Sequence, residues 1–260
     1  MKRALMSIER KKNILSRIQE LGSVSVNELS SLFGVSEETI RRDLKELESE
    51  HRISRVYGGA YLGNTVSQDV PYHLRRDTLK KEKDLIAQAA FQFINSGDTV
   101  FLDPSTTSLA IAQLMKKKKN TTVITNALYI ANALADSESA RIICTGGEMD
   151  KQRQTFTGCA TLEMLESYYA DIAFVSCTGV NFTSGLTDSS ETQARIRNMM
   201  LKHAQKKILI ADYTKFGKTT LSQIAPLSDI NCVICDSKLS EDWRKYFEEQ
   251  HIQFIDASEL

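Results

Sequence analysis

The chain carries no net charge: 33 lysine and arginine residues balance 33 aspartate and glutamate residues over 260 positions. The field of the whole molecule therefore gives no pull on nucleic acid, and any basic surface must be local. Long apolar runs are missing too. The longest reach about six to eight residues, against the ~20 that a bilayer-spanning helix needs, so no membrane partner is expected. Met1-Lys2-Arg3 is followed by no apolar segment, so no secretory signal is expected either. Five cysteines make an odd number for a disulfide framework. Reduced thiols in the cytoplasm are the simpler expectation. Cys232 and Cys235 have the spacing of a redox or zinc pair, but they lie in a β-branched run, where positions i and i+3 point to opposite faces. His51, His73, His203 and His251 form no ligand motif. No Walker A loop, dinucleotide glycine fingerprint, nucleophile elbow or internal repeat is present. The expectation is no metal, no cofactor and no catalytic set.

What is there divides unevenly. Residues 1–83 hold 16 basic and 12 acidic side chains, so the two parts carry about +4 and −4. Residues 63–71 are turn formers with little apolar content, which reads as a linker. The expected organisation is a small domain over 1–62, a linker and the start of a connecting helix over 63–83, and a larger domain over 84–260. Past residue 83, strand-like runs at 100–102, 122–125, 141–144, 172–176, 207–211, 231–235 and 253–255 alternate with helical runs at 108–115, 127–135, 161–168, 191–203 and 240–249. Such alternation predicts an α/β domain with a mostly parallel sheet covered on both faces. The lysine run at 116–119 reads as a solvated helix end.

In the first part, Ile14, Leu15, Ile18 and Leu21 share a helical face that ends at Gly22. Ser25 and Glu28 have capping-box spacing, and the helix after them is expected to bury Leu29, Leu32 and Phe33 before Gly34. Ser36 caps a third helix, with Glu37 and Glu38 at its positive end. That helix buries Ile40, Leu44 and Leu47 and turns Glu38, Arg42 and Lys45 outward, with Thr39 and Arg41 on the flanks. Two short helices meeting at a Gly-Val turn are helix-turn-helix geometry, at about residues 24–43. The alternating run 51–60 then breaks at Gly58-Gly59 as a β-wing does, and offers Arg52, Arg55 and Tyr57. Ser36, Glu38, Thr39, Arg41, Arg42, Lys45, Arg52, Arg55 and Tyr57 are the candidate contacts to double-stranded DNA. Arg42 suits a guanine edge or a phosphate, and Glu38 suits cytosine.

The segments VSVNELSSLFGVSEETIRRDL at 24–44 and RVYGGA at 55–60 resemble the signature helix-turn-helix and wing of the DeoR family of bacterial transcriptional regulators, and the resemblance runs through about nine-tenths of the chain. It implies a DNA-binding repressor, less often an activator, of sugar or nucleoside catabolic operons, acting as a dimer or tetramer. It also implies a second domain similar to ribose-phosphate isomerase and CoA-transferase folds that senses a phosphorylated sugar or related metabolite. The residues expected to meet that effector lie at strand carboxyl ends, where open α/β sheets bind ligands. Asp103, Ser105, Thr106 and Thr107 precede a helix whose free N–H groups favour an anion. Thr125 and Asn126, Gly146 and Gly147, and Gly179 follow later strands. Lys215 lies in DYTKFG at 212–217, which is similar to the family's Asp-Ser-Ser-Lys-Phe-Gly segment and makes it a candidate phosphate partner.

The chain departs from the family pattern at Pro104, which has no N–H, and at Ser105, where glycine is common. It departs again at Asp150, where a basic residue is common and Lys151 or Arg153 could substitute. Arginines flank Ile196, where a lysine is expected. Two other readings stay open. One is a sugar-phosphate isomerase or transferase with an accessory winged helix, for which Asp103, Asp188 and Asp212 are imaginable carboxylates. The other is a ligand-independent DNA-binding protein whose second domain mainly oligomerises.

Overall fold

The computed structural model describes residues 2–50, 52–56, 58–62, 72–116, 118–237 and 239–260. Tyr57 and the expected linker at 63–71 lie outside the described residues. The chain forms two compact units, Met1–Lys80 and Lys81–Leu260, each with its own apolar cluster.

The first unit runs α1 (Lys2–Leu21), β1 (Ser23–Ser25), α2 (Val26–Phe33), α3 (Glu37–Ser49), β2 (Ser54–Val56), β3 (Gly59–Tyr61) and α4 (Tyr72–Asp77). Ile14, Leu15 and Ile18 of α1, Leu29 of α2 and Ile40, Leu44 and Leu47 of α3 are all buried. The capping box forms as its spacing dictates: Ser25 Oγ accepts from Glu28 N at 3.1 Å, and Glu28 Oε2 accepts from Ser25 N at 3.1 Å. Gly34 ends α2 in the left-handed region at φ 60°. The strands make one antiparallel sheet in the order β1-β3-β2. A Cβ on Gly59 would stand 2.4 Å from Val24 O, so only glycine lets β3 close on β1. Two apolar positions differ from expectation. Leu32 is exposed, because Val26, Leu29 and Phe33 define the inward stripe of the short α2 and Leu32 falls well to one side of it. Leu21 is exposed because it is the last residue of α1, where Gly22 turns the chain into β1.

The second unit begins within α5 (Lys80–Phe91), and continues β4 (Thr99–Leu102), α6 (Thr106–Met115), β5 (Thr121–Thr125), α7 (Leu128–Leu134), β6 (Ala140–Cys144), β7 (Glu148–Asp150), β8 (Thr155–Thr157) and α8 (Cys159–Glu166). It ends with β9 (Ala170–Val175), β10 (Gly179–Asn181), β11 (Gly185–Asp188), α9 (Glu191–Lys202), β12 (Ala204–Ile210), β13 (Ser222–Ala225), β14 (Cys232–Cys235), α10 (Glu241–Glu249) and β15 (Gln253–Asp256). The seven expected strands build one sheet in the order β15-β14-β12-β9-β4-β5-β6, and every pairing in it is parallel. Its middle strands are apolar without alternation, as burial on both faces requires; Val100, Phe101, Phe174, Ile208 and Leu209 are fully buried.

Strand order reverses direction between β4 and β9, the switch point at whose carboxyl ends open α/β sheets bind ligands. The hairpin β7–β8 and the antiparallel sheet β10-β11-β13 were not expected. Three- and four-residue strands containing Gly179, Gly185, Thr187 and Asp188 are too short and too polar to show a period of two. Cys232 and Cys235 are buried with no disulfide, and burial pushes both thiols up to about 12.

Candidate functional site

The outer face of α3 follows from its inner one. With Ile40, Leu44 and Leu47 inward, Glu38, Arg41, Arg42 and Lys45 are exposed. Ser36 and Thr39 are spent on the start of the helix: Ser36 Oγ accepts from Thr39 N at 3.3 Å and lies 2.9 Å from the Thr39 hydroxyl. Arg41 is 2.6 Å from Glu37 and 4.0 Å from Glu38. On the wing side, Arg55 donates its backbone N–H (3.1 Å) and its Nε (2.7 Å) to Glu48. Burial works against the charge of Glu48, but those bonds outweigh it and lower its pKa. Arg52 is 3.6 Å from Glu50. Among the described residues, Arg42 and Lys45 make no hydrogen bond or ion pair. Glu46, one turn on from Arg42, is held instead by Lys11 at 2.7 Å. Among the described residues two cations on the middle of α3 thus make no direct pair, Arg42 acting on Glu46 only at longer range, while the three other candidate arginines each face a carboxylate.

The expectation overlooked Arg10. Its guanidinium grips Asp43 with Nε–Oδ2 at 2.6 Å and Nη2–Oδ1 at 3.1 Å. Asp43 is 3% exposed, and the fork fixes how α3 rolls against α1. The signal was legible: a carboxylate between Ile40 and Leu44 on an apolar stripe requires a cation from a neighbouring element.

In the second unit the expected effector residues follow the carboxyl ends of the parallel strands: Thr125 ends β5, Asp103, Ser105, Asn126, Gly146 and Gly147 lie on connecting loops, Thr106 and Thr107 start α6, Gly179 starts β10, and Lys215 ends a 3-10 turn after β12. At the switch point sits a buried charge cluster. Arg197 of α9 donates Nε to Asp103 Oδ2 at 2.6 Å and Nη1 to Asp188 Oδ2 at 2.7 Å, and none of the three is more than 5% exposed. Asp103 also accepts from the Ser108 hydroxyl at 2.6 Å and from Ser176 N at 3.0 Å. Asp188 also accepts from Ser190 N at 2.8 Å. Burial opposes the guanidinium charge, but the two carboxylates outweigh it and raise the Arg197 pKa. One cation between two carboxylates leaves a formal excess of one negative charge. Ser105 caps α6, its hydroxyl accepting from Ser108 N at 3.0 Å. Thr106 and Thr107 form the first turn of α6, both buried. Thr125 Oγ1 accepts from Ala127 N at 3.1 Å, and Asn126 Nδ2 donates to Phe156 O at 2.9 Å.

Residues 10–66 match the family model described as a DeoR-like helix-turn-helix domain, and residues 79–237 match the DeoR C terminal sensor domain. The chain belongs to the DeoR family. The HTH-type transcriptional regulator IolR of Bacillus subtilis strain 168 is 34% identical over 245 residues, covering 92% of this chain and 97% of that one. The glycerol-3-phosphate regulon repressor of Escherichia coli strain K12 is 31% identical over 245 residues, covering 94% and 97%. Among solved structures, ribose 5-phosphate isomerase A of Methanocaldococcus jannaschii is similar over 53% of this chain and 54% of that one, with a TM-score of 0.39 at 14% identity. This DeoR-family chain is therefore a helix-turn-helix transcriptional regulator with a sensor unit.

The departures from the DeoR pattern have local explanations. Ile196 is fully buried in the core, and the basic group of that segment is Arg197, one residue on, locked between Asp103 and Asp188. Asp150 turns the β7–β8 hairpin: it accepts from Arg153 N at 3.0 Å and Nη1 at 2.7 Å. Burial opposes its charge, yet Arg153 lowers its pKa. Of the three expected glycines, Gly147 is demanded by packing, since a Cβ would meet Thr161 Oγ1 at 2.3 Å and Thr157 O at 2.4 Å, and its φ is +124°. Gly179 would meet Lys218 O at 2.6 Å. A Cβ on Gly146 would meet nothing within 4 Å, so open space lies over that backbone. Lys215 is part of a single 3-10 turn, 3.9 Å from Asp212 and about one-third exposed. Among the described residues no helix is long and apolar enough to cross a membrane, and no His, Cys, Asp and Glu group could hold a metal.

Proposed function

We infer that this regulator represses an operon of carbohydrate or nucleoside use, and that a phosphorylated sugar or related metabolite releases it from its operator. The observation that carries the DNA side is the pair of exposed cations Arg42 and Lys45 on α3, which make no hydrogen bond or ion pair among the described residues. In the reading offered here α3 enters the major groove, Arg42 takes a guanine edge or a phosphate, and Lys45 takes a phosphate. Ser36, Glu38, Thr39, Arg41, Arg52 and Arg55 border that contact, and Tyr57 stays a candidate from its sequence position alone. Arg41 and Arg55 exchange a carboxylate for a phosphate when DNA arrives. A relative named for the glycerol-3-phosphate regulon supports the effector class.

The effector binds at the carboxyl edge among Ser105, Thr106, Thr107, Thr125, Asn126, Gly146, Gly147, Gly179 and Lys215, with Asp103 as part of the frame. The positive end of α6 and Lys215 favour the phosphoryl group. Asp103 and Asp188 are both engaged by Arg197. Neither is available as a general base, which argues for sensing over isomerisation. The protein works in the cytoplasm as a homo-oligomer whose paired winged helices grip successive grooves. Effector binding favours an arrangement of those units that fits DNA poorly. A tenfold release corresponds to about 1.4 kcal/mol of coupling.

The test is anisotropy of labelled DNA from upstream of the protein's own gene, with a sugar-phosphate panel. Arg42→Ala should weaken DNA binding and spare effector binding, whereas Thr106→Ala should leave DNA binding intact and blunt release. Equal loss of both activities in both folded variants would rule out this division of labour.

A further inference from the structure

Three buried side-chain oxygens at the carboxyl edge have no hydrogen-bond partner among the described residues: Asn126 Oδ1, Thr145 Oγ1 and Gln193 Oε1. Their residues are 0%, 1% and 3% exposed. They hang on one frame. Asn126 and Thr145 follow the adjacent strands β5 and β6, where Thr145 N donates to Thr125 O at 2.9 Å. Phe156 N donates to Asn126 O at 2.8 Å, and Asn126 Nδ2 returns a bond to Phe156 O at 2.9 Å. Gln193 Nε2 reaches the hydroxyl of the neighbouring Thr155 at 3.1 Å. One turn along α9 from Gln193 stands Arg197.

The Asn126 side chain has only one workable orientation. A carbonyl such as Phe156 O only accepts, so Nδ2 of Asn126 must face it and Oδ1 is the atom left over. Asn126 Oδ1 accepts only, the Thr145 hydroxyl does either, and the Gln193 amide faces the Thr155 hydroxyl, which donates or accepts, so it can turn either end to a ligand. Buried polar atoms are almost always paired, because leaving one dry is costly, so these three mark a demand for a partner that can both donate and accept. A phosphoryl group only accepts, so it does not meet that demand. Hydroxyl groups meet it.

The geometry points to Asn126, Thr145 and Gln193 as the hydroxyl-reading part of the effector site, which recognises the polyol portion of a ligand and not its phosphate. Neither Thr145 nor Gln193 was expected as a site residue. Gly146, next in sequence to Thr145, is exposed and has open space over its backbone. This rests on the proposed sensing of a phosphorylated sugar and says which end of the molecule meets which residues.

The test compares the full-length protein with Thr145→Val, which removes the hydroxyl at constant shape, and with Gln193→Leu. Calorimetry measures binding of fructose 6-phosphate, glucose 6-phosphate, ribose 5-phosphate, their deoxy analogues, the unphosphorylated sugars and inorganic phosphate. Thr145→Val is expected to keep or raise Tm, since the lost hydroxyl had no partner, and to bind the tightest sugar phosphate about tenfold more weakly. One deoxy analogue should be weakened similarly on the parent protein and no further on a variant, while inorganic phosphate binds all three proteins alike. Unchanged sugar-phosphate affinity in both variants overturns the inference, as does a Tm of Thr145→Val lowered by several degrees. Equal binding of a sugar with and without phosphate keeps it and removes the phosphate from the proposed function. Binding of no polyol at all overturns both.

Discussion

Replacing Arg197 with methionine tests the frame of the sensor. The substitution keeps most of the side-chain volume and removes the cation that holds Asp103 at 2.6 Å and Asp188 at 2.7 Å. Both carboxylates stay buried. Each retains N–H or O–H donors, from Ser108 and Ser176 for Asp103 and from Ser190 for Asp188, but neither retains a positive partner. Breaking a buried ion pair by removing one member costs about 3–5 kcal/mol. For a unit of this size a loss of 1 kcal/mol lowers Tm by about 2–4 °C, so the expected fall is about 6–20 °C. Urea unfolding followed by circular dichroism, with a scanning-calorimetry Tm, measures it. A double-mutant cycle with Asp188→Asn then separates pairing from packing: Asp188→Asn should cost less in the Arg197→Met background than in the parent. A loss below about 1 kcal/mol, or strictly additive effects, would refute the view that these three residues act as one unit.

Other outcomes follow from single contacts. Arg42→Ala should weaken operator binding, and a salt slope reduced by about 0.9 would assign Arg42 to a phosphate, whereas an unchanged slope assigns it to a base edge; unchanged affinity would remove α3 from the interface. Ser25→Ala removes the hydroxyl half of the capping box that starts α2 and keeps the backbone half, in which Ser25 N donates to Glu28, and should destabilise the first unit by about 1 kcal/mol in chemical denaturation. Burial pushes the thiols of Cys177, Cys232 and Cys235 up to about 12, so at pH 8 a thiol reagent should modify exposed Cys159 promptly and those three only on unfolding. Because an unfolded thiol ionises near ~8.5, the three contribute stability that is complete below that pH. It is lost as pH rises toward about 12. Prompt modification of all three in the folded protein would contradict their burial.

The seven sheet strands and the helices of the first unit were legible because each is an apolar run, or an apolar stripe bounded by a cap or a glycine. Ser25, Gly34 and Ser36 do locally what their residue types dictate. The hairpin β7–β8 and the sheet β10-β11-β13 were not legible, since three residues carry no period and their pairing is set by tertiary context. Residues at strand ends could be enumerated from sequence, but not sorted. Asp103, whose position alone marks it as a ligand contact, has its carboxylate taken up by Arg197, Ser108 and Ser176. Gly147 is explained by its approach to Thr161, and Thr145 and Gln193 went unremarked. Pairings across 94 and 9 residues, Arg197 with Asp103 and with Asp188, leave no local trace. The periodicity of α9 does place Gln193 and Arg197 on one face, and that was the available clue.

The claim at the centre is that one chain couples operator binding by α3 to ligand binding at the sheet's carboxyl edge. Anisotropy of DNA from upstream of its own gene, titrated at two salt concentrations with and without the sugar-phosphate panel, tests it most directly. Salt-sensitive binding that one sugar phosphate weakens tenfold or more, about 1.4 kcal/mol of coupling, is the predicted result. Tight operator binding that no member of the panel alters would contradict it.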